Sequence, residues 1–313
     1  MARYTSILFP QGDPSKGADP APSCLADLHL DEIIAAVTAG HSNDHVDRFF
    51  YAPLYEVSTV EHRHQVFQDL ECDQTRQPIV NLVEGMRTMR RRLHQANHLS
   101  HRLQRHGWFI YAVQTFCDTV AVLRDELGRV ELASRGLRDF ADYVTEYVES
   151  EVFRHLVSDT QAVQTELRNV RYTVHIQGLR VQVEKYDGQT DYSEGVVSTF
   201  ERFATEVRED YHVAPKDRAD MSRVEERMLN CVAKLYPDAF AVLDGFCRRN
   251  QRFLEPAVAR FDHEIRFYLY YLAFVRRFTS AGLNFSYPEI TTEPGALSAD
   301  DAFDLALAIK STD

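Results

Sequence analysis

The sequence predicts a mainly α-helical protein, a bundle of long helices with a small β-hairpin-containing insertion. Three observations lead there. Apolar residues recur at helical spacing over most of the 313 residues. Two of these stripes run for about thirty residues, well past the ordinary globular helix. The period changes to two only in RNVRYTVHIQGLRVQVEKYDG, where β-branched and aromatic residues alternate with polar ones around Gln177-Gly178.

The elements follow in order. Residues 1–26 are rich in Pro, Gly and Ser without a period, so a mobile or loosely docked arm is expected. From Asp31, the residues Ile33, Ile34 and Val37 share a face and Gly40 marks a stop, a short helix. After the aromatic knot Phe49, Phe50, Tyr51 and the turn at Pro53-Leu54, Ser58 and Glu61 stand at capping-box spacing. The helix expected from there turns Val60, Phe67 and Leu70 inward, with Glu61, Arg63, Gln68 and Asp69 toward water by periodicity alone.

A second helix is expected from Pro78 to Gly107, roughly 40 Å long, and a third from Trp108 to Gly128. The stripe Leu137, Phe140, Val144, Val148, Val152, Leu156, Val163, Leu167 reads as one helix of roughly 45 Å. Beyond the hairpin, VVSTFERFATEV reads as a helix, and Ser222 with Glu225 repeats the capping-box spacing before another. A helix through Phe240, Leu243 and Phe246 follows. A long one runs from Pro256 toward Gly282, packing through Ile265, Tyr268, Leu269 and Leu272. A short amphipathic one, ADDAFDLALAIK, comes last, with Asp300 and Asp301 as its N-terminal charges. The expected organisation is an arm (1–26), helical core and first lever helices (27–168), a β-containing insertion (169–205), returning helices (206–282), and a connector with its helix (283–313).

Composition narrows the function. Hydrophobic residues at 44% and charged residues at 26% are ordinary for a folded soluble domain, and no apolar run is long enough to span a membrane. No secretory signal pattern is evident, so cytoplasm is expected. The five cysteines are scattered without a C-x-x-C pair, which points to reduced packing residues. A phosphate loop, a nucleophile elbow and H-E-x-x-H are all missing from the sequence, so no catalytic residue, metal or cofactor is expected and the chain is read as no enzyme. His94, His98 and His101 have helical spacing but no neighbouring carboxylate, and read as solvated helix-face histidines.

Two basic stretches bear on partners, against a net charge of −12 that disfavours nonspecific nucleic-acid binding by the whole chain. Arg87, Arg90, Arg91, Arg92, Arg102 and Arg105 lie in a run without acids; the favoured reading pairs them with the acidic stretch Asp142 to Glu151 on a neighbouring helix. The other reading is a surface for phosphates or for an acidic protein. The insertion carries Arg168, Arg171, Arg180 and Lys185, which either touch a duplex backbone or are scattered charges on an ordinary exposed hairpin.

The run PLYEVSTVEHRHQVFQDL resembles the core-domain signature of the MutS mismatch-repair family, carried here by Pro53, Leu54, Val60, Arg63, Val66 and Leu70. The order of long helices, β insertion, returning helices and a final short helix resembles that family's core, lever and clamp. The resemblance implies a non-catalytic region of an ATP-dependent DNA-binding protein, relaying ATPase state to DNA in repair or recombination. ATP and Mg are then expected only in an ATPase domain beyond this sequence. Double-stranded or branched DNA, that ATPase domain and a second copy in a homodimer are the implied partners. The family's N-terminal mismatch-reading domain has no room in the first fifty residues. Phe253-Leu254-Glu255 matches that domain's Phe-x-Glu letters in helical sequence and inherits no role. Arg63 is expected to make a structural contact in the core. The alternative is a helical scaffold that binds an acidic protein partner without nucleic acid.

Overall fold

In the computed structural model, residues 4–10, 22–51, 53–178, 180–188, 221–292, 295 and 298–312 are described. Among them are twelve α-helices and one two-stranded antiparallel sheet, a mainly helical protein with a small hairpin. In chain order the elements are α1 (Cys24–Asp27), α2 (Leu30–Val37), α3 (Arg48–Tyr51), α4 (Val57–Glu71), α5 (Asp73–His98), α6 (Arg102–Leu127), α7 (Arg135–Glu149) and α8 (Glu151–Arg168). Then come β1 (Tyr172–Gln177), β2 (Arg180–Lys185), α9 (Arg223–Leu235), α10 (Pro237–Arg249), α11 (Pro256–Thr279) and α12 (Leu305–Thr312). The stretch VVSTFERFATEV lies outside the described residues.

The chain forms two compact units: Met1–Thr88, Thr115–Arg154 and Phe253–Asp313 make the first, and Met89–Gln114 with His155–Arg252 the second. In the first, α11 is the central element, packed against α2 and α4. Pro256 opens it at the first helical position, where a missing N–H costs nothing. Val258, Phe261, Ile265, Tyr268 and Phe278 are fully buried along it, and so are three charged residues, Asp262, Glu264 and Arg266. Buried charges need partners. Arg266 donates through Nη2 to both Asp262 carboxylate oxygens at 2.9 Å and through Nη1 to Asp44 at 2.7 Å.

Glu264 serves a different segment, and here the structure departs from the arm expected over residues 1–26. Tyr4 to Pro10 is part of the core: Ile7 and Leu8 are fully buried. Among the described residues no strand lies beside the segment, and side chains take its backbone groups. Glu264 Oε2 accepts from the Ile7 amide at 2.9 Å and from Ser6 Oγ at 2.8 Å. The Ile7 carbonyl accepts from the Tyr268 hydroxyl at 2.9 Å and lies 3.0 Å from His62 Nε2. Arg63 Nε donates to the Leu8 carbonyl at 3.2 Å, and Arg260 Nη1 to the Thr5 carbonyl at 2.7 Å.

Helix α4 places the residues that carried the family resemblance. Arg63, Val66 and Leu70 are buried, Leu54 is half-buried and Pro53 is exposed. The Arg63 guanidinium lies 5.0 Å from the Phe9 ring centroid and 5.2 Å from that of Phe267. Two expectations for this helix are corrected. Glu56, not Ser58, is the residue before its first turn, and it makes no side-chain cap; Ser58 is already helical. Asp69 faces inward, accepting from the amides of Ala133 at 3.1 Å and Ser134 at 2.7 Å, which fixes the loop where Ser134 caps α7.

Helix boundaries also moved. α5 begins at Asp73, so Pro78 lies inside it and leaves the Gln74 carbonyl without its helical donor. The break after it falls at Leu99–His101, and Gly107 sits within α6. The long helix expected over Leu137–Leu167 is two. Ser150 adopts an extended conformation (φ −68°, ψ 153°), donates to the Tyr147 carbonyl at 2.6 Å and accepts from the Phe153 amide at 3.2 Å, closing α7 and opening α8. At the end, α12 starts only at Leu305, where Asp304 accepts from the Leu307 amide at 3.0 Å; Asp300 and Asp301 precede the helix and Asp301 has φ 53°. Phe253 is buried against Phe116, and Glu255 accepts from the Tyr143 hydroxyl at 2.6 Å, so these two residues are packing and anchoring groups.

Candidate nucleic-acid interface

The hairpin belongs to the second unit. Gln177 pairs with Arg180, so the turn begins at Gly178, whose φ of 59° is a left-handed conformation that suits glycine. Pairing of Val174 with Val183 and Ile176 with Val181 assembles one face from Tyr172, Val174, Ile176, Val181, Val183 and Lys185. Alternation puts Thr173, His175, Gln177, Arg180, Gln182 and Glu184 on the other.

This register decides how the four predicted cations are distributed. Arg180 stands beside the turn and Lys185 at the base on the opposite, apolar face. Arg171 precedes β1 on the Arg180 face, but it lies six residue steps along the strand from the Arg180 partner Gln177, about 20 Å. Arg168 ends α8, where a cation complements the helix dipole. All four side chains are exposed. Glu184 lies on the same face as Arg180 and accepts from Gln182, placing one negative charge in the row. Arg171 and Arg180 thus share one face about 20 Å apart, Lys185 is on the other, and the four cations do not form a single pocket.

The base of the hairpin is pinned by a residue that sequence reading passed over. Tyr236, between α9 and α10, donates its hydroxyl to the Arg171 carbonyl, and the Lys185 ammonium sits 5.1 Å from its ring centroid. The same carbonyl accepts from the Tyr186 amide at 3.2 Å. α9 packs against β2, and its start carries the expected capping box: Ser222 Oγ accepts from the Glu225 amide while Glu225 accepts from the Ser222 amide. No local signal marks Tyr236, because its partner lies 65 residues away.

In the other basic run, Arg92 and Arg102 have partners within the second unit. Arg102 pairs with Asp244 on α10 at 2.9 Å, not with the acidic stretch Asp142 to Glu151. Asp244 also holds Arg248 at 3.2 Å and lies 3.7 Å from His106, whose imidazole burial keeps below its ordinary pKa. Arg92 donates to the Tyr111 carbonyl at 3.0 Å with its guanidinium 5.9 Å from that ring. His94 and His98 stack, and His101 contacts Asn230 at 3.2 Å; no group of three metal-ligating side chains occurs among the described residues. No helix among them is long and apolar enough to cross a membrane. The chain matches no family model, no curated protein and no solved structure.

Proposed function

We propose that this chain is the non-catalytic helical core, lever and clamp region of a MutS-like, ATP-dependent DNA-binding protein that acts in repair or recombination. What supports the reading is a hairpin set between α8 and α9 that carries exposed Arg180 and Lys185, with exposed Arg168 and Arg171 in the chain leading into it. Arg171 and Arg180, about 20 Å apart on one face, suit separate phosphates of a duplex backbone, which are themselves spaced along the strand. The long helices then relay the state of an ATPase domain encoded beyond this sequence, where ATP and magnesium belong. Double-stranded or branched DNA, that domain and a second copy are the partners, in the cytoplasm. The rival reading, a scaffold for an acidic protein, is weakened because Arg102 and Arg92 already have partners within the chain.

Fluorescence anisotropy with labelled duplex and four-way-junction DNA over a salt series tests the reading. Binding should weaken with salt, and Arg171→Glu combined with Arg180→Glu should abolish it. A double variant that keeps the wild-type affinity, or a wild type that fails to bind at 50 mM salt, sinks the reading.

A further inference from the structure

The first unit contains a cavity of about 300 Å³ whose walls are aromatic. α3 supplies Phe50, α4 supplies Phe67, α11 supplies Phe267 and Tyr271, and the extended chain after α11 closes the far side with Phe285 and Tyr287. Phe267 is buried, while the other five rings keep part of their surface accessible, as residues that only fill a core do not.

The charge that lines the cavity has one sign, although the buried Arg63 guanidinium lies 5.2 Å from the centroid of the Phe267 ring. Among the described residues, neither Lys nor Arg lines the cavity, and its carboxylate is that of Glu71, exposed at the end of α4. The Tyr287 hydroxyl donates to Glu71 at 2.6 Å, which ties the extended chain to α4. His64 also lines the cavity, its ring centroid 5.3 Å from that of Tyr287, and burial lowers its pKa, which favours the neutral imidazole. An anion would meet the carboxylate and the negative ring faces. A cation is attracted by both.

We propose that this cavity binds a trimethylammonium group, carried either by a free choline-like molecule or by a methylated lysine side chain. Ring faces attract a cation through their quadrupole, and the methyl groups take apolar contact with the same rings. A bare ammonium fits less well, since it would leave N–H donors behind with few acceptors to meet them. The volume is at the small end for ligand sites, enough for such a headgroup and a short chain.

Isothermal titration of the full chain tests this with choline, its uncharged isostere 3,3-dimethylbutan-1-ol, and one short peptide with lysine unmodified or trimethylated. Choline or the trimethylated peptide should bind about tenfold more tightly than its uncharged or unmethylated counterpart. Tighter binding of choline than of the methylated peptide assigns a free ligand, and the reverse assigns a protein tail. Glu71→Gln keeps an acceptor for Tyr287 but removes the charge; it should weaken cation binding several-fold and leave the isostere unchanged. The proposal is overturned if neither cation binds at millimolar concentration, if the isostere matches choline, or if a folded Glu71→Gln variant binds cations as well as wild type. The choline-to-isostere comparison in wild type decides the matter even if the variant fails to fold.

Discussion

Glu264 offers the sharpest quantitative test of how the first unit is held together. Burial raises its pKa from the ordinary 4.5 to about 7, against the opposing pull of its hydrogen bonds from Ser6 and Ile7 and of the Arg260 charge. A carboxyl with a raised pKa stabilises the fold when protonated. Its contribution is therefore fully present below about pH 4.5 and lost as pH rises through about 7. At about 1.4 kcal/mol for each tenfold change in proton affinity, a rise from 4.5 to about 7 corresponds to roughly 3 kcal/mol.

Glu264→Gln replaces the titrating group by a neutral one that keeps a carbonyl acceptor for Ser6 and Ile7. His62 and His263 complicate a single curve, because burial lowers their pKa and their contribution runs the other way, present above the ordinary 6.5 and lost as pH falls. Subtracting the wild-type curve from that of the variant removes both. Urea denaturation followed by near-ultraviolet circular dichroism of the tyrosines, from pH 4.5 to pH 8, should show the two proteins nearly equal at the acid end. By pH 8 the variant should be the more stable by roughly 3 kcal/mol. Parallel curves, or a variant that loses stability as pH rises, would refute the claim that desolvation outweighs the hydrogen bonds at this site.

Other substitutions separate close packing from local propensity. Gly85→Ala should destabilise by roughly 1–3 kcal/mol, because a Cβ there would lie 2.3 Å from Thr119 Oγ1, whereas Gly107→Ala, with open space around it inside α6, should stabilise by about 0.5–1 kcal/mol. Paired melting curves read both, and a stabilised Gly85→Ala would show that the two helices do not need the glycine. Asp69→Ala strips the buried Ser134 amide and the part-buried Ala133 amide of their acceptor and should cost roughly 2–4 kcal/mol in urea denaturation. Ser222→Ala removes the capping box of α9 at a cost of about 1 kcal/mol, visible as faster amide exchange over its first turn; unchanged exchange would mean that the cap adds nothing.

Legibility in the sequence followed the range of the interactions. The existence of the hairpin, the capping box at Ser222 and the start of α11 at Pro256 depend on neighbours within a few residues, and each was readable. The break at Ser150 was not, since serine sits in helices and at their ends alike and the apolar stripe runs on through it. The docking of Tyr4 to Pro10 was out of reach for a different reason. Its partners Arg260, Glu264 and Tyr268 lie more than 250 residues away, and its Pro- and Gly-rich continuation looks like an arm. At the candidate interface, the four cations could be named, but not that alternation would send Lys185 to one face and Arg180 to the other, nor that Tyr236 would hold the base.

Arg63 shows how a charged residue can serve the fold from inside the core. With 7% of its surface exposed, its charge is not available to a phosphate backbone, and burial lowers its pKa. Its Nε supplies the donor for the Leu8 carbonyl, and the guanidinium lies near the rings of Phe9 and Phe267. A lysine there would carry a more strongly hydrated charge into the same dry site and could not present a flat face to the rings. A methionine would leave the Leu8 carbonyl unpaired, a cost of about 1–3 kcal/mol, but would bring no charge to desolvate. Arg63→Met is therefore expected to retain more stability than Arg63→Lys, the reverse of a ranking by charge conservation. Urea midpoints of the two variants decide it, and a more stable lysine variant would place the value of Arg63 in its charge. DNA affinity measured per folded molecule should be unchanged in both, because what Arg63 secures is the seat of Ile7 and Leu8.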